Sequence, residues 1–325
     1  MHFLLAGIDT SFYTKFVNIR YGNRLRFGYN GRVFANVIAK RQVVYKIVLK
    51  KQLSENVFLM DVEAPLVARA QKAGQFVIVS PELDAGERIP LTIAGADKNQ
   101  STIRLIFQRV GKTTAQLANL ETGQSLGYVA GPLGRPAHIE KFGMVVCVGG
   151  GIGIAPLLPI ATAMKDAGNK IISILGARTR ELLILEDDFK TVSDELIIVT
   201  DDGSYGQKAL VTQPLEEICQ RTPKPNLAVA IGPAVMMKFC CETTKKYNVP
   251  TQVSLNTIMV DGTGMCGGCR VEVGGKTKFV CVDGPEFDGH QVNFEQMIRR
   301  MNAYKDLEKQ AMEQYQQHQC KIGLK

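Results

Sequence analysis

Apolar and β-branched residues come in short, closely spaced runs along the first half of the chain, at 43–49, 56–62, 75–80, 91–94, 102–108 and 126–130. Runs of this length, punctuated by glycine, proline and asparagine, predict the strands of an antiparallel β-barrel over 43–140. Past Gly143 the pattern changes. Apolar runs at 144–148, 171–175, 196–199, 228–231 and 252–255 alternate with helix-length segments, which predicts an α/β doubly wound parallel sheet over 141–255, with ligands at the carboxyl ends of its strands. Residues 256–290 are rich in glycine and cysteine and carry little period, as expected of a small loop region organised by a bound group. The remainder, 291–325, predicts a polar C-terminal helix and tail. There Phe294, Met297, Ile298 and Met301 make one apolar stripe at i, i+3, i+4 and i+7, read as a docking or core face.

The stretch 142–164 has no charged residue and is long enough to cross a bilayer. Gly149, Gly150, Gly151, Gly153, Pro156 and Pro159 would break a spanning helix, and they suit a buried strand, a glycine turn and a helix start instead. No membrane span is expected. The length of 325 residues allows two or three domains, and 45% hydrophobic with 22% charged residues excludes a disordered chain.

The formal net charge is +8, yet residues 1–41 hold seven bases against the single acid Asp9, which leaves only two of those charges for the rest. A nucleic-acid surface on the main body is therefore not expected. Residues 1–42 form an extension with two open readings, an organelle-targeting peptide or an overextended gene start, the next methionine being Met60. Eight cysteines without a secretory pattern do not suit a disulfide framework and point to a reducing, cytoplasmic setting.

The most specific motif is Asp261-x4-Cys266-x2-Cys269-x11-Cys281 in the context VDGTGMCGGCRVEV. A plant-type [2Fe–2S] site uses C-x4-C-x2-C and a distant fourth cysteine, and here a carboxylate takes the first place. Cys266, Cys269 and Cys281 with His290 would alternatively satisfy zinc, in a nucleotide-binding regulator without redox activity. Cys147, Cys219, Cys240, Cys241 and Cys320 lie outside this motif and read as small buried hydrophobes. A second motif, CVGGGIGIAP at 147–156, falls where a strand should turn into a helix, so that Gly149, Gly150, Gly151 and Gly153 admit a pyrophosphate to a helix N-terminus. It departs from G-x-G-x-x-G because Pro156 holds the third glycine's place. Asp201 and Asp202, in the sequence TDDGS, and Gly232-Pro233 follow later strands on the same sheet edge. A third motif pairs Arg88-x-Pro90-Leu91-Thr92 with Gly111-Lys112-Thr113-Thr114, which together can neutralise a second pyrophosphate.

Taken in this order, these motifs resemble the ferredoxin-reductase-like flavoproteins. Over about 45–290 the chain is most similar to the small subunits of NADH-dependent reduced ferredoxin:NADP oxidoreductases, and next to the electron-transfer subunits of dihydroorotate dehydrogenase. The resemblance implies FAD held by Arg88, Pro90, Leu91, Thr92, Gly111, Thr113 and Thr114. It also implies NAD(H) at Gly149, Gly150, Gly151, Gly153 and Pro156, with Asp201 and Asp202 near the ribose, and a [2Fe–2S] cluster on Asp261, Cys266, Cys269 and Cys281. Asp261 matches the first of these subunit types, since the dihydroorotate dehydrogenase subunits use four cysteines. A larger flavin and iron–sulfur subunit that handles ferredoxin and NADP(H) is the implied partner. Hydride transfer to a flavin requires no side-chain acid or base, so no catalytic residue is assigned. Arg178 and Arg180, after the second strand of the α/β region, leave NADP(H) open, because arginine there can accept a 2′-phosphate.

Overall fold

Residues 44–83 and 86–321 are described in the computed structural model, with side chains followed to residue 317; the extension 1–42 lies outside the described residues. Strands β1 (Tyr45–Ser54), β2 (Val57–Glu63), β3 (Phe76–Ser80), β4 (Ile89–Asp97), β5 (Thr102–Gln108), β6 (Ser125–Leu126) and β7 (Tyr128–Leu133) form an antiparallel sheet in the order β6-β1-β2-β5-β4-β3-β7. The run expected as one strand at 126–130 is split at Gly127. Its first part pairs with β1 (Tyr45 opposite Leu126) and its second with β3 (Val79 opposite Val129), which brings the two sheet edges together. Only glycine fits at this kink, because a Cβ on Gly127 would fall on the backbone of Glu82 and Leu83.

Alternation along β3 decides what the barrel touches. Val77 and Val79 point into the barrel core with Met60, Ile93, Ile103 and Leu105, whereas Phe76 and Ile78 join the core of the second sheet. Two helices decorate the barrel, α1 (Pro65–Ala70) and α2 (Lys112–Asn119).

The second sheet contains β8 (Met144–Gly150), β9 (Lys170–Ala177), β10 (Glu195–Thr200), β11 (Gln207–Lys208), β12 (Leu227–Ile231) and β13 (Thr251–Ser254). After a small hairpin of β14 (Arg270–Val273) and β15 (Lys276–Phe279), β16 (Glu286–Asp288) returns to its edge. The order is β11-β10-β9-β8-β12-β13-β16, parallel throughout except for β16, which runs antiparallel to β13. The antiparallel strand differs from the parallel sheet expected, because the glycine- and cysteine-rich region returns its chain to the open edge.

In β8, Val145 and Cys147 face one side and Val146 and Val148 the other, all fully buried, as a strand covered on both faces requires. Helix α3 (Ile154–Asp166) covers one face through Leu157, Ile160 and Met164, beside α4 (Glu186–Val192). Helices α5 (Thr212–Cys219) and α6 (Ala234–Lys246) cover the other. From β8 the chain winds outward to β11 and then crosses back to β12, so the order reverses between β8 and β12.

A short helix α7 (Val280–Asp283) precedes β16, and α8 (Phe294–Met301) and α9 (Lys305–Lys321) follow it. Phe294 and Met297 of the C-terminal stripe are buried in the second sheet's core. The expected single helix is interrupted at Asn302–Tyr304, beyond which Tyr315 accepts a hydrogen bond from Asn119 of α2 at 3.1 Å. Among the described residues, no helix is long and apolar enough to cross a membrane.

Glu286 on β16 is an outlier in this interior. Its Oε1 is buried without a hydrogen-bond partner, and burial pushes the carboxyl up to about 7 from its ordinary value of 4.5. The folded chain therefore holds this proton more tightly than the unfolded chain, so stability falls as pH rises through the window between those values. The expected loss is about 3 kcal/mol. Glu286→Gln should flatten that part of a denaturant-measured stability profile, and an unchanged slope from pH 5 to 7 would contradict the burial.

Candidate functional site

The order reversal between β8 and β12 opens a crevice at the carboxyl ends of these strands, where an open α/β sheet binds ligands. β8 ends in Gly149 and Gly150, a 3-10 turn follows at Gly151–Gly153, and α3 begins at once. A Cβ on Gly153 would meet the Ile231 carbonyl and lie 2.6 Å from the Gly232 Cα, and one on Gly150 would strike the Met236 sulfur. These glycines let the turn lie against the β12 loop. Gly151 differs: its φ is +55° and its Cβ position faces open space, so it turns the backbone toward the crevice. Pro156 occupies the first turn of α3, where a missing N–H removes no helix bond. The free amides and dipole of a thirteen-residue helix thus face the opening.

The crevice is one continuous cleft of about 1390 Å3, larger than the range common for a single small ligand. It brings together Pro90, Leu91, Thr92 and Thr114 from the barrel with Gly150, Gly151, Gly153 and Pro156 from the turn, and with Asp201. Arg88, Gly111, Thr113, Gly149 and Asp202 are not in its wall. The Arg88 guanidinium lies over the Tyr128 ring, 4.6 Å from its centroid. Thr113 is buried and donates to Glu87 at 2.6 Å, while Thr114 Oγ1 accepts from the Val110 and Gly111 amides and pins the start of α2.

Within each charged pair, one member faces the cleft and the other is tied back. Asp201 lines the wall, whereas Asp202 accepts from the Ser204 amide and hydroxyl at 2.9 and 2.7 Å, which lowers its carboxyl pKa. Arg178 lines the wall, whereas Arg180 stacks on Tyr205, 5.0 Å from the ring centroid. Asn256 and Thr257, just past β13, also face the cleft and were not singled out from sequence. The sheet-edge rule that drew attention to Asp201 applies to them equally.

The cysteine loop is seated on the barrel. Gly262, with φ +74°, packs so closely that its Cβ would lie 2.7 Å from Leu133 Cδ1 and 2.9 Å from Ile78 Cγ1. The four ligand candidates form two pairs. Asp261 accepts from the Thr263 and Cys266 amides at 2.9 and 3.1 Å, and its Oδ1 lies 3.6 Å from the Cys266 sulfur. The Thr263 amide is the main cause of its lowered carboxyl pKa. Cys269 and Cys281, both buried, hold their sulfurs 3.2 Å apart, and burial followed by Cys269 pushes the Cys281 thiol up to about 12.

Two ligands on one tetrahedral metal with ~2.3 Å bonds to sulfur stand roughly 3.7 Å apart. Each pair therefore fits one iron of a two-iron cluster. Among the described residues, no three His, Cys, Asp or Glu side chains gather as a site for a single metal ion.

The zinc alternative fails on His290. Its Nε2 is 3.0 Å from the Thr244 hydroxyl, which in turn accepts from Thr251, so the ring is engaged beside β13. Cys147, Cys219, Cys240 and Cys241 are buried, with Cys147 pushed up to about 12 and Cys219 to about 11, as expected of unreactive packing thiols.

Residues 256–293 match the iron–sulfur cluster binding domain of dihydroorotate dehydrogenase B. A Thermotoga maritima protein described as a dihydroorotate dehydrogenase B (NAD(+)) electron transfer subunit homolog is 46% identical over 270 residues, 83% of this chain and 95% of that protein. The chain belongs to this electron-transfer subunit family. The Bacillus caldolyticus dihydroorotate dehydrogenase B (NAD(+)) electron transfer subunit is 32% identical over 251 residues, covering 75% of this chain and 95% of that one. A chain in the solved structure of an NADH-dependent reduced ferredoxin-NADP oxidoreductase, studied for flavin-based electron bifurcation, is 44% identical. It superposes with a TM-score of 0.79 over 84% of this chain and 98% of its own. Membership defines the class as an oxidoreductase electron-transfer subunit of ferredoxin-reductase-like fold with a C-terminal iron–sulfur domain.

Proposed function

We propose that this chain carries electrons between NAD(H), FAD and a [2Fe–2S] cluster, and exchanges them with a larger flavin and iron–sulfur subunit in NADH-dependent ferredoxin:NADP oxidoreduction. One observation carries the reading. Pro90 of the barrel motif pairs across the ladder with Ile78, and Ile78 is the residue on which the cluster loop sits through Gly262. The motif meant for a flavin therefore stands one strand from the cluster loop, with Pro90 on the same face of the sheet as Ile78, and also lines the cleft of the glycine turn.

In this assignment Pro90, Leu91 and Thr92 hold the flavin ring, Arg88 and Thr114 with the Gly111 turn serve its phosphates, and the buried Thr113 supports that turn through Glu87. Gly149, Gly150, Gly151, Gly153 and Pro156 admit the dinucleotide pyrophosphate to the start of α3, with Asp201 placed for a ribose hydroxyl and Asp202 holding the turn behind it. Asp261, Cys266, Cys269 and Cys281 ligate the cluster. When bound, these groups supply the conversion of a two-electron hydride into single electrons. The protein's part is to hold the dinucleotide at one end of the cleft, exclude water with the apolar wall of Val57, Ile89 and Ile106, and seat the cluster loop behind β3.

Asp261 in the first ligand place, together with 44% identity to the solved subunit, favours the ferredoxin:NADP system. The cluster-domain match and the name of the Thermotoga maritima relative favour the second reading, an electron-transfer subunit of dihydroorotate dehydrogenase. Co-purification of the native complex with cofactor analysis separates them. A larger partner carrying iron–sulfur clusters is expected, and a partner that oxidises dihydroorotate would select the second.

Arg88→Ala should weaken FAD binding by roughly 10–100-fold, the loss of about 1.5–3 kcal/mol for a charge-assisted hydrogen bond. Titration of flavin-stripped protein reads this directly, and undiminished FAD affinity would remove Arg88 from the site. NADH should bleach the flavin faster than NADPH in anaerobic stopped-flow mixing, because the Asp201 carboxylate in the wall repels a 2′-phosphate. A preference for NADPH would instead give Arg178 the 2′-phosphate, Arg180 being stacked on Tyr205.

A further inference from the structure

A second cavity of about 780 Å3 lies between the barrel-to-sheet linker, the end of α6, the starts of β12 and β13, and β16. Glu286 stands on the partition between this cavity and the cofactor cleft. Its ladder partner Ser254 and its chain neighbour Pro285 both line the cleft, and Pro285 accepts from the Leu255 amide at 2.9 Å, whereas Glu286 itself lines the second cavity. Its unpartnered Oε1 is pressed toward the barrel, where a Cβ on Gly74 would come within 2.7 Å of it. Gln252 lies on the same face of the β13–β16 ladder, opposite Asp288, and its Oε1 is likewise buried without a partner. Two buried acceptors left unpaired beside one cavity carry the cost of a missing donor, which a proton on the Glu286 carboxyl would relieve.

We propose that Glu286 is a proton-transfer group linking the cofactor cleft to the second cavity. The proposal rests on the function given above. NADH delivers a hydride, which is two electrons and one proton. A one-electron acceptor takes only the electrons, which a bound cluster would pass on singly, so one proton per NADH would be left in the cleft. The Glu286 carboxylate takes up that proton to become a carboxylic acid, then releases it into the second cavity and is a carboxylate again.

Burial sets the carboxyl near neutrality, which suits a group that must both accept and release a proton at that pH. The charged and titratable side chains facing the cavity are Arg135, His138, Lys245, Asp283, Asp288 and His290. Arg135 pairs with Asp283 at 3.6 Å, His138 with Glu140 at 3.2 Å, and His290 with Thr244. Asp288 accepts from the His290 amide and from Gln291. Among the described residues, none forms an ion pair with Glu286, so its carboxyl remains available.

The test uses the full chain loaded with FAD and cluster, reduced by one equivalent of NADH and mixed with ferricyanide as the one-electron acceptor. A pH-indicator dye reads proton release and the visible spectrum reads electron exit. In wild type the two should coincide at pH 8. The total released is fixed at one proton per two electrons, so the reading is the ratio of the two rates. Between pH 8 and pH 6 the rate of proton release relative to that of electron exit should fall about tenfold, as the carboxylate becomes mostly protonated beforehand. In Glu286→Gln the ratio should already be at least tenfold lower at pH 8, and the redox infrared difference spectrum should lose a carboxylic-acid C=O band.

A wild-type ratio that stays constant over that pH range overturns the proposal without need of the variant. So does a Glu286→Gln protein with wild-type proton release and an unchanged infrared spectrum. If NADH fails to bleach a flavin in the loaded wild type, the proposed function falls, and this inference with it.

Discussion

Cys269→Ser and Cys281→Ser should each abolish the cluster, removing nearly all of its visible absorption and its paramagnetic resonance after reduction. The two sulfurs lie 3.2 Å apart, each side chain almost wholly buried. A serine hydroxyl buried there would have to lose its proton to ligate, and the loop's one other thiol, Cys266, is already assigned as a ligand, so none is spare to replace the lost one. Cys266 is exposed, so Cys266→Ser should leave a destabilised remnant at best, since solvent can reach the vacated position.

Asp261→Cys should keep a [2Fe–2S] centre with shifted absorption and reduction potential, because a thiolate replaces a harder oxygen donor at equal charge. Asp261→Asn removes the anionic ligand and keeps only one of the two turn bonds, because its single amide oxygen can accept from Thr263 while its NH2 cannot accept from Cys266. His290→Ala should leave the resonance spectrum unchanged, given that the ring is held by Thr244. If that variant loses the cluster while Asp261→Ala keeps the wild-type spectrum, the ligand set argued above is wrong.

Gly153→Val should be the most damaging single change at the dinucleotide end. Its Cβ would fall on the Ile231 carbonyl and within 2.7 Å of the Gly232 amide nitrogen, and neither backbone atom can swing aside as a side chain would. The turn after β8 would be pushed off β12, where the sheet reverses its order. Overpacking of this kind costs about 3 kcal/mol, which corresponds to roughly 6–10 °C in Tm for a domain of this size. Reduction by NADH should be lost as well.

Gly151→Ala provides the contrast, because its Cβ meets nothing within 4 Å and only the left-handed backbone is penalised, by about 1 kcal/mol. It should melt within a few degrees of wild type while still slowing the approach of the dinucleotide. Differential scanning calorimetry with stopped-flow bleaching measures both. A Gly153→Val protein with wild-type Tm and reduction rate would show that the turn does not lie against β12 as described.

Which elements could be read from the chain follows from how local their causes are. The strand at 144–148 was legible because a strand buried on both faces must be continuously apolar, and Val145 to Val148 are. The cysteine loop was legible because ligands on one cluster must be close in space, and short spacings between them leave a mark in sequence. The glycine turn was legible for a similar reason: its backbone approaches β12 too closely for any side chain at Gly153.

Composition and periodicity thus sufficed for the barrel, the wound sheet and their order, while motif spacing named ligand candidates that the substitutions above test. Other features depend on partners far away in the chain. The break at Gly127 exists because one short segment must pair with β1 and then with β3, and β16 runs antiparallel because the cluster lobe brings the chain back to an open edge. Asp201 and Asp202 are the same residue type side by side, and only the Ser204 bonds to Asp202 decide which of them faces the cleft. His290 is within plausible spacing of the cysteines, yet Thr244, forty-six residues upstream, holds it elsewhere. Glu286 is an ordinary acid in the sequence; it becomes an unpaired buried carboxyl only where the barrel, the linker and the last strand meet, because burial is a property of packed surfaces that no local pattern encodes.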